Sequence, residues 1–435
     1  MDAIRQTVRR RMPPKAAIKL LRTVFSLPAP AARLLLDDIT KPRKSHRSWY
    51  KKVPWNQEWT GCWIGENIQH VDEKGLSDRI ERADIIIFNV HGGGFRVGKS
   101  TMFLDTYIKW IRTLKEKYGI TVLIMSVDYR MAPEYKFPSP VEDVVRAYEC
   151  LIRTHKVDGS KIIAIGDSNG SALVLEMLFI THDPSMFEIV TDDPEGQADT
   201  GTPVLTELPR PAGTVLISPL VTDETTSPSW QENTKYDYVS QQTAKLIKRD
   251  YFQNIDPDSN EIQCILGIMR LHTGFQAFFS PRVLLIIGNK EVLRDDALDL
   301  GAKAEQDGVD IEIVMEDCVH DWFCVREVVK DKSILDRADK IFADFCYRSV
   351  ILPRDGPNNK GSGNGLYENM STGKHSSDGL HAVPEIDEND DDEFHEAMTE
   401  NTDLQSTSSA TSTTVYERYV SNDKGTKTKT LTVFV

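Results

Sequence analysis

The sequence predicts an α/β fold: a mostly parallel central sheet flanked by helices, with a helical cap and a disordered C-terminal tail. Three observations carry this. Short continuous apolar runs alternate with stretches of helical period, the rhythm of a parallel sheet buried on both faces. Two glycine-rich motifs, His91-Gly92-Gly93-Gly94-Phe95 and Gly166-Asp167-Ser168-Asn169-Gly170, each follow such a run. Beyond about Leu352 the chain turns to Gly/Asn, acidic and Ser/Thr runs, which cannot bury enough apolar surface to offset chain entropy.

Taken in order, residues 84–90 form the first buried strand. Residues 103–118 form a helix with Tyr107, Trp110, Ile111 and Leu114 on one face, ended by Gly119. Residues 121–127 are a strand, 141–154 a helix, 161–165 a strand and 168–179 a helix. Strands follow at 213–218, 282–288 and 310–315, with helices at 297–307 and 334–350. Two inserts break the rhythm. Residues 181–211 are polar and rich in Pro and Asp, and 223–280 hold helical pieces, among them 241–252, that pair with the N-terminal region as a cap. The resulting domains are an N-terminal basic amphipathic or cap region (1–75), a catalytic domain (76–352) and the tail (353–435).

The two motifs do complementary chemistry. Gly-x-Ser-x-Gly after a strand is a nucleophile elbow, whose tight turn lifts the Ser168 hydroxyl clear of the sheet. His-Gly-Gly-Gly after an earlier strand is a loop without side chains, whose amides can face a developing oxyanion. In this order the pair predicts acyl transfer on an α/β-hydrolase sheet. The serine needs a base and an orienting acid. His320, after a strand and a short acidic loop, is the candidate base. Asp295, Asp296, Glu291 and Asp317 all lie near the right strand ends as candidate acids.

Four blocks give the chain a family resemblance: His91 to Phe95, Asp128-Tyr129-Arg130-Met131-Ala132-Pro133-Glu134 with Phe137-Pro138, Gly166 to Gly170, and Glu291-Val292-Leu293-Arg294-Asp295-Asp296 with His320-Asp321-Trp322. The sequence resembles the hormone-sensitive-lipase-like α/β-hydrolases, the group of arylacetamide deacetylases and fungal steryl acetyl hydrolases. The resemblance implies a Ser168-Asp295-His320 triad, with Asp295 taken as the first aspartate of its block. It implies an oxyanion hole of the Gly93, Gly94 and Asn169 amides on a loop begun by His91 and Gly92. Family members usually carry Ala at position 169 and Gly at 171, where this chain has Asn and Ser. Those larger residues can tighten helix packing or reshape the acyl side. The implied reaction is hydrolysis of carboxylic esters of hydrophobic alcohols or short acyl groups. The alternatives are a ligand-binding protein on the same fold, as in plant gibberellin receptors that have lost the base histidine, and a membrane-peripheral scaffold.

Two further clusters read as scaffold more than site. The Arg130 and Glu134 region is expected to be a salt-bridged, proline-fixed turn beside the oxyanion loop. Trp55, Trp59 and Trp63 read as core, with an apolar pocket as the other reading.

Composition bounds the rest. At 435 residues with 40% apolar content, the chain can build a sizeable core. Six cysteines, Cys62, Cys150, Cys264, Cys318, Cys324 and Cys346, show no Cys-x-x-Cys spacing and read as buried free thiols in a reducing compartment. No metal cluster, phosphate loop or dinucleotide fingerprint is legible, so no cofactor and no nucleic-acid partner is expected. The N-terminus is basic, with Ile18, Leu21 and Phe25 on one helical face and Lys15, Lys19 and Arg22 on another. Pro28 and Pro30 are expected to stop that helix. It reads as a cap over the active site, as a membrane-surface helix, or as a mitochondrial presequence. A cytoplasmic protein, with the surface of an internal membrane as the second reading, is the expectation.

Overall fold

The computed structural model of the chain describes residues 12–184, 206–252, 268, 271–353, 414–421 and 427–434. All belong to one unit; the segment Asp355–Thr411, a second unit, lies outside the described residues.

Among the described residues ten strands form one sheet. In chain order they are β1 (Tyr50–Val53), β2 (Gly61–Ile64), β3 (Ile85–Val90), β4 (Val122–Val127), β5 (Ile162–Asp167), β6 (Gly213–Ile217), β7 (Arg282–Gly288), β8 (Asp310–Glu316), β9 (Thr414–Ser421) and β10 (Lys427–Phe434). They lie side by side as β1-β2-β4-β3-β5-β6-β7-β8-β9-β10. The six from β4 to β8 run parallel, while β1–β2 and β9–β10 add antiparallel edges. The centre of the sheet matches the predicted strands to within two residues at each end.

Alternation along each strand divides the core between the two faces. Ile86, Phe88 and Val90 of β3 pack with α5 (Ser139–Glu149), α6 (Asn169–His182) and α10 (Arg294–Gln306). Ile85 and Ile87 pack with α4 (Leu104–Tyr118) and α11 (Lys332–Val350). Trp110 of α4 sits 4.7 Å from Phe342 of α11, ring to ring. Trp59 and Trp63 meet edge to face at 5.8 Å inside the core, while Trp55 is exposed beneath the Arg146 guanidinium. Five of the six cysteines are buried free thiols, and Cys264 lies outside the described residues.

Three features go beyond the reading of the elements given above. The N-terminal helix α1 (Pro14–Phe25) ends where expected, but Pro30 does not stop the chain from coiling. It lies in the first turn of a second helix, α2 (Ala29–Ile39), where its missing N–H costs nothing because first-turn amides have no intrahelical acceptor. The helix α3 (Glu73–Arg82) carries only Ile80 as a fully buried residue and had little periodicity to reveal it. The third is the C-terminal end. Of the tail read as disordered, 354–413 and 422–426 lie outside the described residues, but β9 and β10 pair as a hairpin on the edge of β8. Thr- and Val-rich segments favour strands, and the open edge of β8 supplies the pairing groups.

The N-terminal helices meet the insert between β6 and β7. The helices α7 (Pro228–Asn233), α8 (Gln241–Ile247) and α9 (Phe275–Phe278) and a π-turn over Lys248–Phe252 are the regular elements of the described part of the insert. Phe25 of α1 stacks on Tyr238 of the insert at 5.7 Å, and Arg22 donates to the Thr234 carbonyl. Among the described residues no helix is long and apolar enough to cross a membrane.

Candidate active site

Ser168 stands between the end of β5 and the start of α6, at φ 53° and ψ −121°. A non-glycine residue there is strained, and the surrounding packing holds it. The flanking glycines are required by space. A Cβ on Gly166 would lie 2.4 Å from Gly170 backbone, and one on Gly170 would lie 2.2 Å from the Val90 carbonyl oxygen. The turn therefore seats directly on β3 and brings Ser168 beside the His91–Gly94 loop.

His320 follows β8, and its Nε2 lies 2.9 Å from the Ser168 Oγ. Both residues are buried. The structure thus brings the predicted nucleophile and base into hydrogen-bond contact across 152 residues of chain.

The acid is not where the resemblance implied. The Asp295 carboxylate accepts from the Ser229 amide at 2.8 Å and from Arg294 Nε at 2.8 Å, fastening the start of α10 to α7. Asp296 accepts from Ser227 Oγ at 3.2 Å, and Asp317 pairs with Lys290 on the surface. The carboxylate that faces His320 Nδ1 is Glu291, four residues earlier, with Oε2 at 3.8 Å. That Oε2 also accepts from Ser218 Oγ at 2.6 Å. Burial pushes the Glu291 carboxyl up to about 8, against the pull of His320. Neither His320 Nδ1 nor Glu291 Oε1 has a hydrogen-bond partner among the described residues.

Residues with no role assigned from the sequence complete the surroundings. Asp237 of the insert accepts from the Val292 amide at 2.8 Å and from the His320 amide at 3.4 Å. Asp321 Oδ2 lies 3.2 Å from His320 Nε2, and the Tyr238 hydroxyl donates to the same oxygen at 3.4 Å. Ser218 Oγ accepts from the Asp321 amide at 2.9 Å. Only an alignment of chain topology, not spacing, would have pointed to Asp237 and Tyr238, which arrive from the cap insert.

The oxyanion loop is held from several sides. The Gly92 amide donates to Asp167 Oδ2 at 2.9 Å, and the Arg96 and Val97 amides donate to the Gly93 carbonyl. His91 is an anchor, stacked on Tyr129 at 4.5 Å, with the Tyr129 hydroxyl donating to its carbonyl at 2.9 Å. Burial lowers the His91 imidazole, consistent with a neutral structural ring. Of the three expected oxyanion donors, Gly94 is already engaged: its amide donates to Asn169 Oδ1 at 2.7 Å. Asn169 Nδ2 in turn donates to the Tyr129 hydroxyl at 3.0 Å. The Asn side chain that distinguishes this elbow thus reaches across and occupies a loop amide, which leaves the Gly93 and Asn169 amides of the three expected donors.

The Arg130 turn is a scaffold, with partners other than those expected. Arg130 binds Asp143 and Glu142, while Glu134 binds Arg33 of α2.

A cavity of about 1120 Å³ reaches this constellation, touching Gly93, Asp167, Tyr238 and Asp321. Ala17, Leu20, Leu21 and Phe25 of α1 and Leu36 of α2 supply apolar wall.

An elbow serine against a histidine, with a buried carboxylate behind it and a glycine loop beside it, defines the class of α/β hydrolases with a serine nucleophile. The family model described as alpha/beta hydrolase fold matches residues 87–324, and the chain belongs to that family. The chain is 26% identical over 309 residues to Lipase 2 of Moraxella sp. (strain TA144), covering 69% of this chain and 67% of that protein. It is 22% identical over 257 residues to ethyl acetate hydrolase of Pseudomonas putida, 57% of this chain and 69% of that one. Among solved structures, an esterase from the bacterial hormone-sensitive lipase family superposes with a TM-score of 0.57 at 23% identity, covering 78% of this chain and 98% of its own. The structural likeness agrees with the α/β-hydrolase fold read from the sequence motifs.

Proposed function

We propose that this protein is a carboxylic ester hydrolase that works through an acyl-enzyme on Ser168. The observation that carries the proposal is the 2.9 Å approach of His320 Nε2 to a serine held in a strained elbow. His320 takes the Ser168 proton as the hydroxyl attacks the ester carbon, then gives it to the leaving alcohol. The tetrahedral oxyanion is received by the Gly93 and Asn169 amides. The deacylating water is activated by the same imidazole. Glu291 fills the acid position, orienting the ring through Nδ1 and stabilising the imidazolium. Relatives named as a lipase and an ethyl acetate hydrolase support an ester as the substrate class. The apolar walls of α1 and α2 favour a hydrophobic acyl or alcohol group, with the two helices acting as cap.

A fluorophosphonate probe tests this. Labelling at Ser168 that disappears in Ser168→Ala, together with a loss of roughly 10³–10⁶ in kcat on p-nitrophenyl esters, is the expected result. A folded wild-type protein that stays unlabelled, or Ser168→Ala turning over ester at the wild-type rate, overturns the assignment.

A further inference from the structure

A second carboxylate stands on the face of His320 that meets the serine. Asp321 Oδ2 is 3.2 Å from Nε2, the same nitrogen that Ser168 Oγ approaches at 2.9 Å. The side chain is built into place. Its backbone is left-handed, at φ 52°, its amide donates to Ser218, and the Tyr238 hydroxyl donates to Oδ2. The residue is 5% exposed and lines the cavity, yet its second oxygen, Oδ1, has no hydrogen-bond partner among the described residues.

The chemistry fixes what this carboxylate borders. As the tetrahedral intermediate collapses to the acyl-enzyme, Nε2 delivers its proton to the leaving oxygen while the ester C–O bond breaks, so that oxygen must come within hydrogen-bond reach of Nε2. A group 3.2 Å from Nε2 therefore adjoins the alcohol half of the ester, on the cavity side. An ionised carboxylate only accepts hydrogen bonds, and a buried oxygen without a donor is costly.

We propose that Asp321 is the specificity residue for the alcohol half, and that it accepts a hydrogen bond from a hydroxyl or protonated amine carried one or two carbons from the ester oxygen. This inference rests on the Ser168–His320 reading given above. The apolar wall of α1, with Leu21 and Phe25, leaves room for the rest of a larger alcohol beyond that donor. The preferred substrate is thus an ester whose leaving alcohol is apolar at a distance and bears a proton donor close to the scissile bond.

The test compares matched pairs in the full-length protein: 2-hydroxyethyl butyrate against propyl butyrate, and 2-(dimethylamino)ethyl butyrate against 3-methylbutyl butyrate. In the wild type, the donor-bearing ester of each pair should have kcat/KM higher on the order of 10–100-fold, the range of a hydrogen bond to a charged group. Asp321→Gly, which suits the left-handed backbone, should bring both ratios near one. Asp321→Asn should keep part of the hydroxyl preference and lose the amine preference. A carboxylate that only tunes His320 would change both members of a pair together and leave their ratio in place. A wild-type ratio near one in both pairs, or ratios unchanged in Asp321→Gly, overturns the proposal. If the wild type hydrolyses none of the four esters and takes no fluorophosphonate label, the hydrolase reading itself falls, and this inference with it.

Discussion

The Gly94 amide donates to Asn169 Oδ1 over 2.7 Å, so the residue after the nucleophile ties up one amide of the oxyanion loop with its own side chain. The loop does not need this bond to keep its shape, because Gly92, Gly93 and His91 are each held independently by Asp167, the Arg96 and Val97 amides, and Tyr129. The bond's main effect is to withdraw a donor. Asn169→Ala should release Gly94 to the oxyanion and raise kcat several-fold or more, below the roughly 10²–10³ of a fully formed extra donor. Thermal stability should fall by an amount equivalent to about 1 kcal/mol for the lost buried bond to Tyr129. Steady-state kinetics and a melt on the same sample decide it; a fall in kcat would make Asn169 a brace.

The two acids are separated by their partners. Glu291→Gln should reduce kcat by about 10²–10⁴, because among the described carboxylates Glu291 is the one that faces His320 Nδ1. Asp295→Asn should leave kcat nearly intact and lower the melting temperature, because that carboxylate staples α10 to Ser229 and Arg294. Single-turnover acylation rates for both variants would expose the reverse order if Asp295 is the acid after all.

The strands, Ser168, His320 and the two glycine motifs were legible because each depends on local pattern: a buried parallel strand is a continuous apolar run, and an elbow has fixed glycine spacing. The choice among Glu291, Asp295 and Asp296 was not. All three sit in one six-residue stretch, and which of them turns inward depends on where the loop after β7 becomes helix. That helix starts at Arg294, three residues earlier than its apolar pattern suggested, which points Asp295 toward α7. Asp237 and Tyr238 were invisible for another reason. They reach His320 from an insert whose path across the sheet has no periodic signature. The larger side chain at 169 was legible as a departure from the family pattern, but its reach to the Gly94 amide was not, because that contact is made across 75 residues of chain.

The pH profile should report the crowd of carboxylates. Burial alone would lower the His320 imidazole, but Asp321 at Nε2, then Asp237 and Glu291, outweigh it and push it up to about 10. A protonated imidazole cannot accept the serine proton. The rate of fluorophosphonate labelling should therefore climb with pH through neutrality into the alkaline range, whereas an unperturbed histidine would level off above about 6.5. Asp321→Asn removes the nearest negative charge and should move the rising limb to lower pH. A limb near 6.5 in both proteins would show that these carboxylates do not act through His320.

Arg96 joins the cap to the oxyanion loop. Its Nε donates to Asp250 of the insert at 2.6 Å and its Nη2 to the Leu27 carbonyl between α1 and α2 at 2.9 Å, while its own carbonyl accepts from Arg33 at 2.8 Å. Next to it, Phe95 stacks flat on Tyr251 at 3.9 Å. Both charged partners are nearly fully buried. Burial would raise the Asp250 carboxyl, but Arg249 and Arg96 outweigh it and hold it below its ordinary range. Removing one member of such a pair leaves a buried charge with fewer partners, typically a loss of about 3–5 kcal/mol. Arg96→Met should cost toward the lower end of that range, because Arg249 remains on Asp250. It should also lower kcat, as the loop loses its tie to both halves of the cap. Asp250→Asn alone should cost less, and the double variant should cost less than the sum, because each change relieves the group stranded by the other. Urea unfolding of the four proteins gives the coupling energy; strict additivity would mean that cap and loop are held together by the aromatic stack and not by the ion pair.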